Sequence, residues 1–248
     1  MQSNPPVHSV ALITGAARRI GAAIARRLHA QGYDLALHFH HSAQDMHALH
    51  EELEQQRHDS VLVLDADLNE PAAPEALVTA TLNRYGRLDA LVNNASAFFP
   101  SSLDSTSVAQ WNTLFAVNAR APFFLSQNAA PYLRESGGCI VNLTDIHAAR
   151  PRPDVLAYAC AKAALEALTR GLAVSLAPEV RVNAVAPGAI LWPEGEMSDA
   201  QRQAMLARTP MGRIGSVQEI AEAVYWLLSG ARYSTGEILH LDGGRHLT

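Results

Sequence analysis

Tyr158 and Lys162 stand four residues apart in the run Tyr158-Ala159-Cys160-Ala161-Lys162, a spacing that puts two side chains on one face of a helix. An ammonium about 4 Å from a phenol contributes on the order of 4 kcal/mol at an effective dielectric of 20. At ~1.36 kcal/mol per pKa unit, that would lower the phenol from about 10 toward 7 and make it a proton donor near neutral pH. Taken alone, the pair also fits an ordinary solvated helix face. A second chemical run lies near the start of the chain, Thr14-Gly15-Ala16-Ala17-Arg18-Arg19-Ile20-Gly21. Glycines between a strand and a helix offer backbone N–H groups and the positive helix end to a pyrophosphate. Gly15 would permit the tight turn, and Gly21 the close packing of helix on sheet.

Arg19, followed by Ile20, stands where a middle glycine would let the backbone approach the phosphates, and it offers a five-donor guanidinium instead. Further on, the run Leu37-His38-Phe39-His40-His41-Ser42 lacks the acidic residue that an NAD site uses on the ribose 2′-hydroxyl. Asp34 opens that strand, at its wrong end, and Asp45 lies inside the next helix. His40, His41 and Ser42, with Arg18 nearby, can donate to a 2′-phosphate, which points to NADPH; the competing reading is a solvated strand end. No cysteine or carboxylate completes a zinc ligand set there, so no metal is expected. Asp67-Leu68 and Asn93-Asn94-Ala95-Ser96 carry polar groups suited to the adenine and the nicotinamide ribose.

The elements that must position these groups alternate along the chain. Strand-like apolar runs are Val10–Thr14, Asp34–Phe39, Ser60–Asp65, Ala90–Asn93, Cys139–Leu143, Arg181–Ala186 and Ile238–Leu241. Helix-like stretches lie near Gly21–Gln31, Ala43–Gln55, Pro74–Tyr85, Val108–Leu133, Ala157–Leu176 and Val217–Ser229. Short buried strands alternating with helices imply right-handed crossovers and a parallel sheet covered on both faces. The stretch 189–210, with Trp192, Pro193 and Gly195, breaks the rhythm. It follows a strand, where insertions surround the ligand crevice of such folds, and is expected to be a substrate loop with a short helix.

Composition narrows the classes. The 248 residues carry 19 Lys+Arg against 24 Asp+Glu and are 48% hydrophobic and 17% charged. Disorder is excluded by that balance, and an acidic chain without basic runs argues against nucleic-acid binding. Cys139 and Cys160 cannot form a disulfide framework, and both sit among apolar residues, as expected of a cytoplasmic protein. No apolar run reaches the roughly 18 residues of a membrane span, and Met1 to His8 is polar and proline-bearing, unlike a signal peptide.

The motifs Thr14-Gly15…Gly21, Asn93-Asn94-Ala95, Asn118, Tyr158…Lys162, Pro187-Gly188 and Asp242-Gly243-Gly244, together and in this order, resemble the short-chain dehydrogenase/reductase family over nearly the whole chain. The resemblance implies an α/β fold: a single Rossmann-type doubly wound domain spanning 1–248, with a seven-stranded parallel sheet flanked by helices, working as a homotetramer. It also implies Tyr158 as proton donor, Lys162 on the nicotinamide ribose and Asn118 as organiser of a water in the proton path. Pro187, Gly188 and the residues up to Trp192 would cover the nicotinamide carboxamide and the substrate, with local packing as the other role for Trp192.

Two departures narrow the family. Thirteen residues before the tyrosine, where the family usually carries a catalytic serine, stands Asp145. A carboxylate beside a developing alkoxide repels it, which disfavours simple carbonyl reduction. It suits a nitrogen heterocycle, from which it can accept N–H bonds or, if protonated, deliver a proton to a ring nitrogen. The second departure is Arg19-Ile20. Both look like the pteridine reductase branch, which includes dihydromonapterin reductase, and the run Asn93 to Pro100 is similar to that branch too. By that resemblance Phe98 stacks on a pterin, gaining roughly 1 kcal/mol beyond its burial, and Ser96 bonds pterin or cofactor phosphate. The alternative for Phe98 is plain core. His41 departs from the arginine frequent in the branch. The ending Asp242–Thr248 is similar as well, and the tail could reach a neighbouring subunit's site.

The expected activity is NADPH-dependent reduction of a dihydropterin (dihydrobiopterin, dihydromonapterin or dihydrofolate). Asp145, Tyr158, Lys162 and Asn118 would be catalytic, and Arg19, Ser96, Phe98, Asp145, Tyr158 and Trp192 would line the substrate. The alternatives are a carbonyl or 3-oxoacyl reductase and a non-catalytic NADP-binding sensor.

Overall fold

The computed structural model describes residues 8–192 and 198–248. The polar start at 1–7 and Pro193 and Gly195 of the expected substrate loop lie outside the described residues. Seven strands, β1 (Val10–Ile13), β2 (Asp34–Phe39), β3 (Val61–Asp65), β4 (Ala90–Asn93), β5 (Cys139–Leu143), β6 (Arg181–Pro187) and β7 (Ile238–Leu241), form one sheet in the order β3-β2-β1-β4-β5-β6-β7. Every neighbouring pair is parallel. The helices between them are α1 (Arg19–Ala30), α2 (Ala43–Gln56), α3 (Ala73–Tyr85), α4 (Val108–Phe115), α5 (Ala121–Ser136), α6 (Leu156–Leu176), α7 (Asp199–Ala207) and α8 (Val217–Ser229). This is a Rossmann-type α/β arrangement.

The strands are mostly aliphatic, and β1 wholly so, because both faces of the sheet are covered. Ala11 and Ile13 pack on one face with Ile24 and Leu28 of α1 and with Val224 and Leu227 of α8. Val10 and Leu12 alternate to the other face, against Leu77 and Val78 of α3 and Leu125 and Leu133 of α5. Each fully buried Leu or Ile contributes roughly 1.5–3 kcal/mol relative to exposure, so a one-residue slip of β1 would forfeit the packing of both faces at once.

β1 pairs with both β2 and β4. The chain winds outward one way through β3 and then crosses back to begin the other half. The crevice outside the strand ends opens at this reversal, so residues just past β1, β4 and β5 face one space.

Two sequence expectations need correction. The single helix expected over Val108–Leu133 is interrupted by a π-helical turn at Ala116–Arg120, after which α5 runs to Ser136. The Ala121 N–H reaches back to the Ala116 carbonyl, and Pro122 lacks the N–H that an unbroken α-helix would give the Asn118 carbonyl. Cys160 is exposed, whereas Cys139 is buried. A helix places neighbouring residues on different faces, so apolar neighbours in sequence do not imply apolar surroundings. Among the described residues no helix is long and apolar enough to cross a membrane.

Candidate active site

The turn after β1 is built around two glycines that nothing larger can replace. Gly15 has φ +62, and a Cβ there would meet the Ala95 Cα at 2.8 Å. A Cβ on Gly21 would lie 2.2 Å from the Gly15 carbonyl oxygen and 2.7 Å from Asn94 Nδ2. Asn94 locks the turn from the β4 side, donating from Nδ2 to the Thr14 and Gly15 carbonyls at 2.9 and 2.8 Å. The buried Thr14 hydroxyl accepts from the Asn94 and Ala95 amides, each at 3.0 Å. Arg18 caps α1 without a side-chain capping bond, which leaves the first-turn amides facing the crevice. Arg19 has φ +52, the left-handed region in which a glycine is at ease. Holding an arginine there costs about 1–2 kcal/mol, and such strain tends to collect at functional sites.

The second constellation sits past the ends of β4 and β5. Asp145 begins the 3₁₀ turn Ile146–Ala148, and its Oδ1 accepts the His147 amide at 2.8 Å. That bond aims Oδ2 inward, where it accepts the Tyr158 hydroxyl at 2.9 Å. Tyr158 is held in the first turn of α6 by Ser101, which is fully buried. The Ser101 hydroxyl accepts the Tyr158 amide at 3.3 Å and its carbonyl accepts the Ala157 amide at 3.2 Å. Lys162, one turn along α6 and buried, donates to the Leu143 carbonyl at 2.8 Å. Two of its three N–H donors have no acceptor among the described residues, so a ribose hydroxyl fits there.

The electrostatics run opposite to the sequence expectation. Burial and the Asp145 carboxylate push the Tyr158 phenol well above its ordinary value, with a hydrogen bond from Ser96 acting the other way. Lys162 does not counter this. Its Nζ lies 5.8 Å from the phenol ring centroid and points at a carbonyl, and burial lowers the ammonium itself to about 8 against the pull of Asp145. The resting site therefore holds a neutral phenol donating to a carboxylate.

Asn118 lies in the π-helical turn and is fully buried. Its Nδ2 donates to the Ala97 carbonyl at 2.9 Å and to the Leu114 carbonyl at 3.0 Å, and its Oδ1 accepts the Ser96 hydroxyl at 2.8 Å. The extra residue of the turn swings Asn118 toward the segment after β4, a use of π-bulges seen often at functional sites.

A family model described as Enoyl-(Acyl carrier protein) reductase matches residues 15–246. The chain belongs to the short-chain dehydrogenase/reductase family. It is 36% identical to pteridine reductase 1 of Leishmania tarentolae, over 98% of both chains. It is 35% identical to the granaticin polyketide synthase putative ketoacyl reductase 2 of Streptomyces violaceoruber, over the full length of both. A 3-oxoacyl-[acyl-carrier-protein] reductase, FabG, of Staphylococcus aureus is 33% identical over 96% of this chain and 98% of that one. The chain is thus an oxidoreductase of the short-chain type, a family that works with NAD(P)H.

Around this short-chain reductase centre the remaining residues fall into two groups. Gly15, Gly21, Asn94, Ala95, Ser96, Asn118, Asp145, Tyr158 and Lys162 are linked by the bonds and contacts above. Gly188, after Pro187, donates its amide to the Leu241 carbonyl at 2.9 Å, and a Cβ there would strike Asp242 at 2.5 Å. Phe98 is 59% exposed and meets the Tyr158 ring edge-on at 4.8 Å, so it stands at the mouth of the site and not in the core.

Two of the residues expected to hold the nucleotide, Arg18 and His40, lie beside carboxylates. Arg18 lies 3.7 Å from Asp45 and His40 lies 3.8 Å from Asp67. The His40 and His41 rings are 3.6 Å apart, and Leu68 is buried. Ser42 begins α2 without a side-chain capping bond. Trp192 lies under the Arg202 guanidinium of α7, at 5.5 Å. Among the described residues there is no group of three or more His, Cys, Asp or Glu that could hold a metal ion.

Sequence reasoning missed several participants. Ser101 carries no distinguishing spacing, and Thr14 reads only as the head of the glycine turn. The tail folds onto its own chain: Arg150 donates to the His246 carbonyl at 2.8 Å and the Thr248 hydroxyl donates to the Arg208 carbonyl at 2.8 Å. This sets Arg245 where it feels Asp145 and Asp242 as well as Arg208 and Arg152, with burial lowering its guanidinium.

Proposed function

We propose that the chain is an NADPH-dependent pteridine reductase that converts a dihydropterin to its tetrahydro form. The observation that carries the reading is the Asp145–Tyr158 pair, a carboxylate accepting from the phenol at the position where the family resemblance leads one to expect a serine hydroxyl. The likeness to pteridine reductase 1 supports it. NADPH would be held by the Gly15–Gly21 turn, Arg18, Arg19, His40–Ser42, Asp67–Leu68, Asn94–Ser96, Lys162 and Pro187–Gly188, and it supplies the hydride, received at C6 of the 7,8-dihydropterin.

The chain's own residues supply the rest. Amino and ring N–H groups of a pterin donate to Asp145, which neutralises part of the charge that raises the phenol. Once Asp145 is engaged by the heterocycle, the Tyr158 O–H is free to turn from Oδ2 to the ring nitrogen N5 and deliver its proton there. Lys162, fixed by the Leu143 carbonyl, holds the ribose. Asn118 orders the segment carrying Ser96 and the water path by which the Tyr158 phenolate regains a proton. Phe98, at the mouth, gives the flat ring a face to stack on, and Arg19 and Trp192 border it. The same reading has the protein working in the cytosol as a homotetramer on a pterin or folate.

The ketoacyl and FabG relatives favour a second reading, reduction of a carbonyl or 3-oxoacyl group. NADPH oxidation measured with dihydrobiopterin, dihydromonapterin, dihydrofolate and a panel of ketones and 3-oxoacyl thioesters separates the two. Turnover of the pterins is expected; turnover of ketones alone removes the pterin reading. NADPH binding with no turnover of any of these substrates would revive a non-catalytic, cofactor-sensing role.

A further inference from the structure

We infer that His38 is a positioning residue of the dinucleotide site: its ring bolts the Gly15 turn to the segment after β3 and sets the spacing of the two loops between which the cofactor lies. The inference rests on the cofactor reading above but not on the identity of the substrate.

His38 is the fifth residue of β2, between β1 and β3 in the sheet, and is 2% exposed. Its Nδ1 meets the Gly15 amide at 3.1 Å and its Nε2 meets the Ala66 carbonyl at 3.0 Å. Its own carbonyl accepts the Ala16 amide at 2.8 Å. A backbone amide can only donate and a carbonyl can only accept. Nδ1 is therefore the bare nitrogen and Nε2 carries the hydrogen, so both partners are satisfied by one neutral tautomer and by no other state.

The position of this ring is what makes it more than a satisfied core histidine. Gly15 carries the positive φ of the turn after β1, and Ala66 directly precedes Asp67 and Leu68 on the adenine side. A protonated ring would set an Nδ1–H against the Gly15 N–H, donor against donor. Burial favours the neutral ring, with nearby His40 adding to this, while the Ala66 bond and the carboxylates of Asp65 and Asp67 oppose it. Because the folded ring protonates below the ordinary 6.5, the clamp is fully made above that pH and is lost as pH falls through the lowered value.

The test measures NADPH binding to the intact chain by fluorescence titration, with wild type, His38→Asn, His38→Gln and His38→Leu at several pH values between 5.5 and 8. Asn sets an amide oxygen near the place of Nδ1, and Gln an amide nitrogen near the place of Nε2. Leu is expected to weaken NADPH about tenfold at pH 8, and Asn and Gln about threefold each, with kcat at saturating cofactor unchanged within twofold. The wild type is expected to lose affinity more steeply than the Asn and Gln variants as pH drops below 6.5; the difference removes every pH effect that all three proteins share, the 2′-phosphate's included. Nitrogen NMR of the His38 ring is expected to report the Nε2–H tautomer at pH 7.

Equal NADPH affinity and equal pH slopes in all four proteins would overturn the inference, as would a doubly protonated ring at pH 7. A wild-type chain that binds neither NADPH nor NADH takes down the cofactor reading and this inference together. Binding that is intact in the wild type and insensitive to His38 takes down this one alone.

Discussion

The Tyr158 hydroxyl donates to Asp145 Oδ2 across 2.9 Å, and the second oxygen of the same carboxylate is tied to the His147 amide. One carboxyl group thus has one lone-pair side fixed by the backbone and the other offered to the site. Asp145→Asn keeps the shape and removes the charge that raises the phenol. It is expected to lower kcat/KM for a dihydropterin by about 100-fold or more. Asp145→Ser is expected to lose pterin turnover similarly and to gain ketone turnover. No ketone gain, with pterin reduction intact, would remove the role given to Asp145.

Lys162 gives opposite signs for activity and stability. Its ammonium titrates at about 8 in the folded chain against an ordinary 10.5. Loss of the charge should bring kcat/KM down as pH rises through about 8. Between those two values the unfolded chain binds more protons than the folded one, so stability should rise with pH over the same window. Urea midpoints of wild type and Lys162→Met from pH 7.5 to 10 check this: the difference between the two proteins should narrow or change sign toward the alkaline end in the wild type's favour.

Gly21 is the tightest position in the nucleotide turn. An alanine Cβ would lie 2.2 Å from the Gly15 oxygen, and backbone has to move to admit it. Gly21→Ala is expected to cost about 1–3 kcal/mol of stability and to weaken NADPH at least tenfold, read from a denaturation curve and a binding titration. A wild-type affinity in this variant would mean that the turn does not seat the cofactor.

Asn118 satisfies two carbonyls and a hydroxyl from a fully buried place. Asn118→Ala takes the amide donor from the Ala97 and Leu114 carbonyls, at about 1–3 kcal/mol for a buried group left unpaired. It should lower the melting temperature and kcat together, with little change in NADPH affinity. A variant that loses cofactor binding and keeps kcat would place Asn118 in the nucleotide site instead.

Much of this chain can be read from residue order alone. The boundaries of β2, β4, β5 and β7 coincide with mostly aliphatic runs, which a parallel sheet covered by helices requires even where Asp34, His38, Asn93, Asn142 and His240 interrupt them, and Gly15 and Gly21 stand out because close backbone approach admits no other residue. Asp145 was visible through its distance in sequence from Tyr158. What the order of residues could not supply is whatever depends on a third element arriving. The π-helical turn that presents Asn118 arises where Pro122 and a side-chain bond to Leu114 compete with the helical ladder, a local balance that leaves the apolar spacing unchanged. The direction of the phenol's shift was decided by burial and by a carboxylate from another loop, while the lysine four residues away turned to a carbonyl of β5. Helical spacing brings two groups to one face, but only packing determines which of them meet, how dry the meeting is, and so the sign of the charge effect.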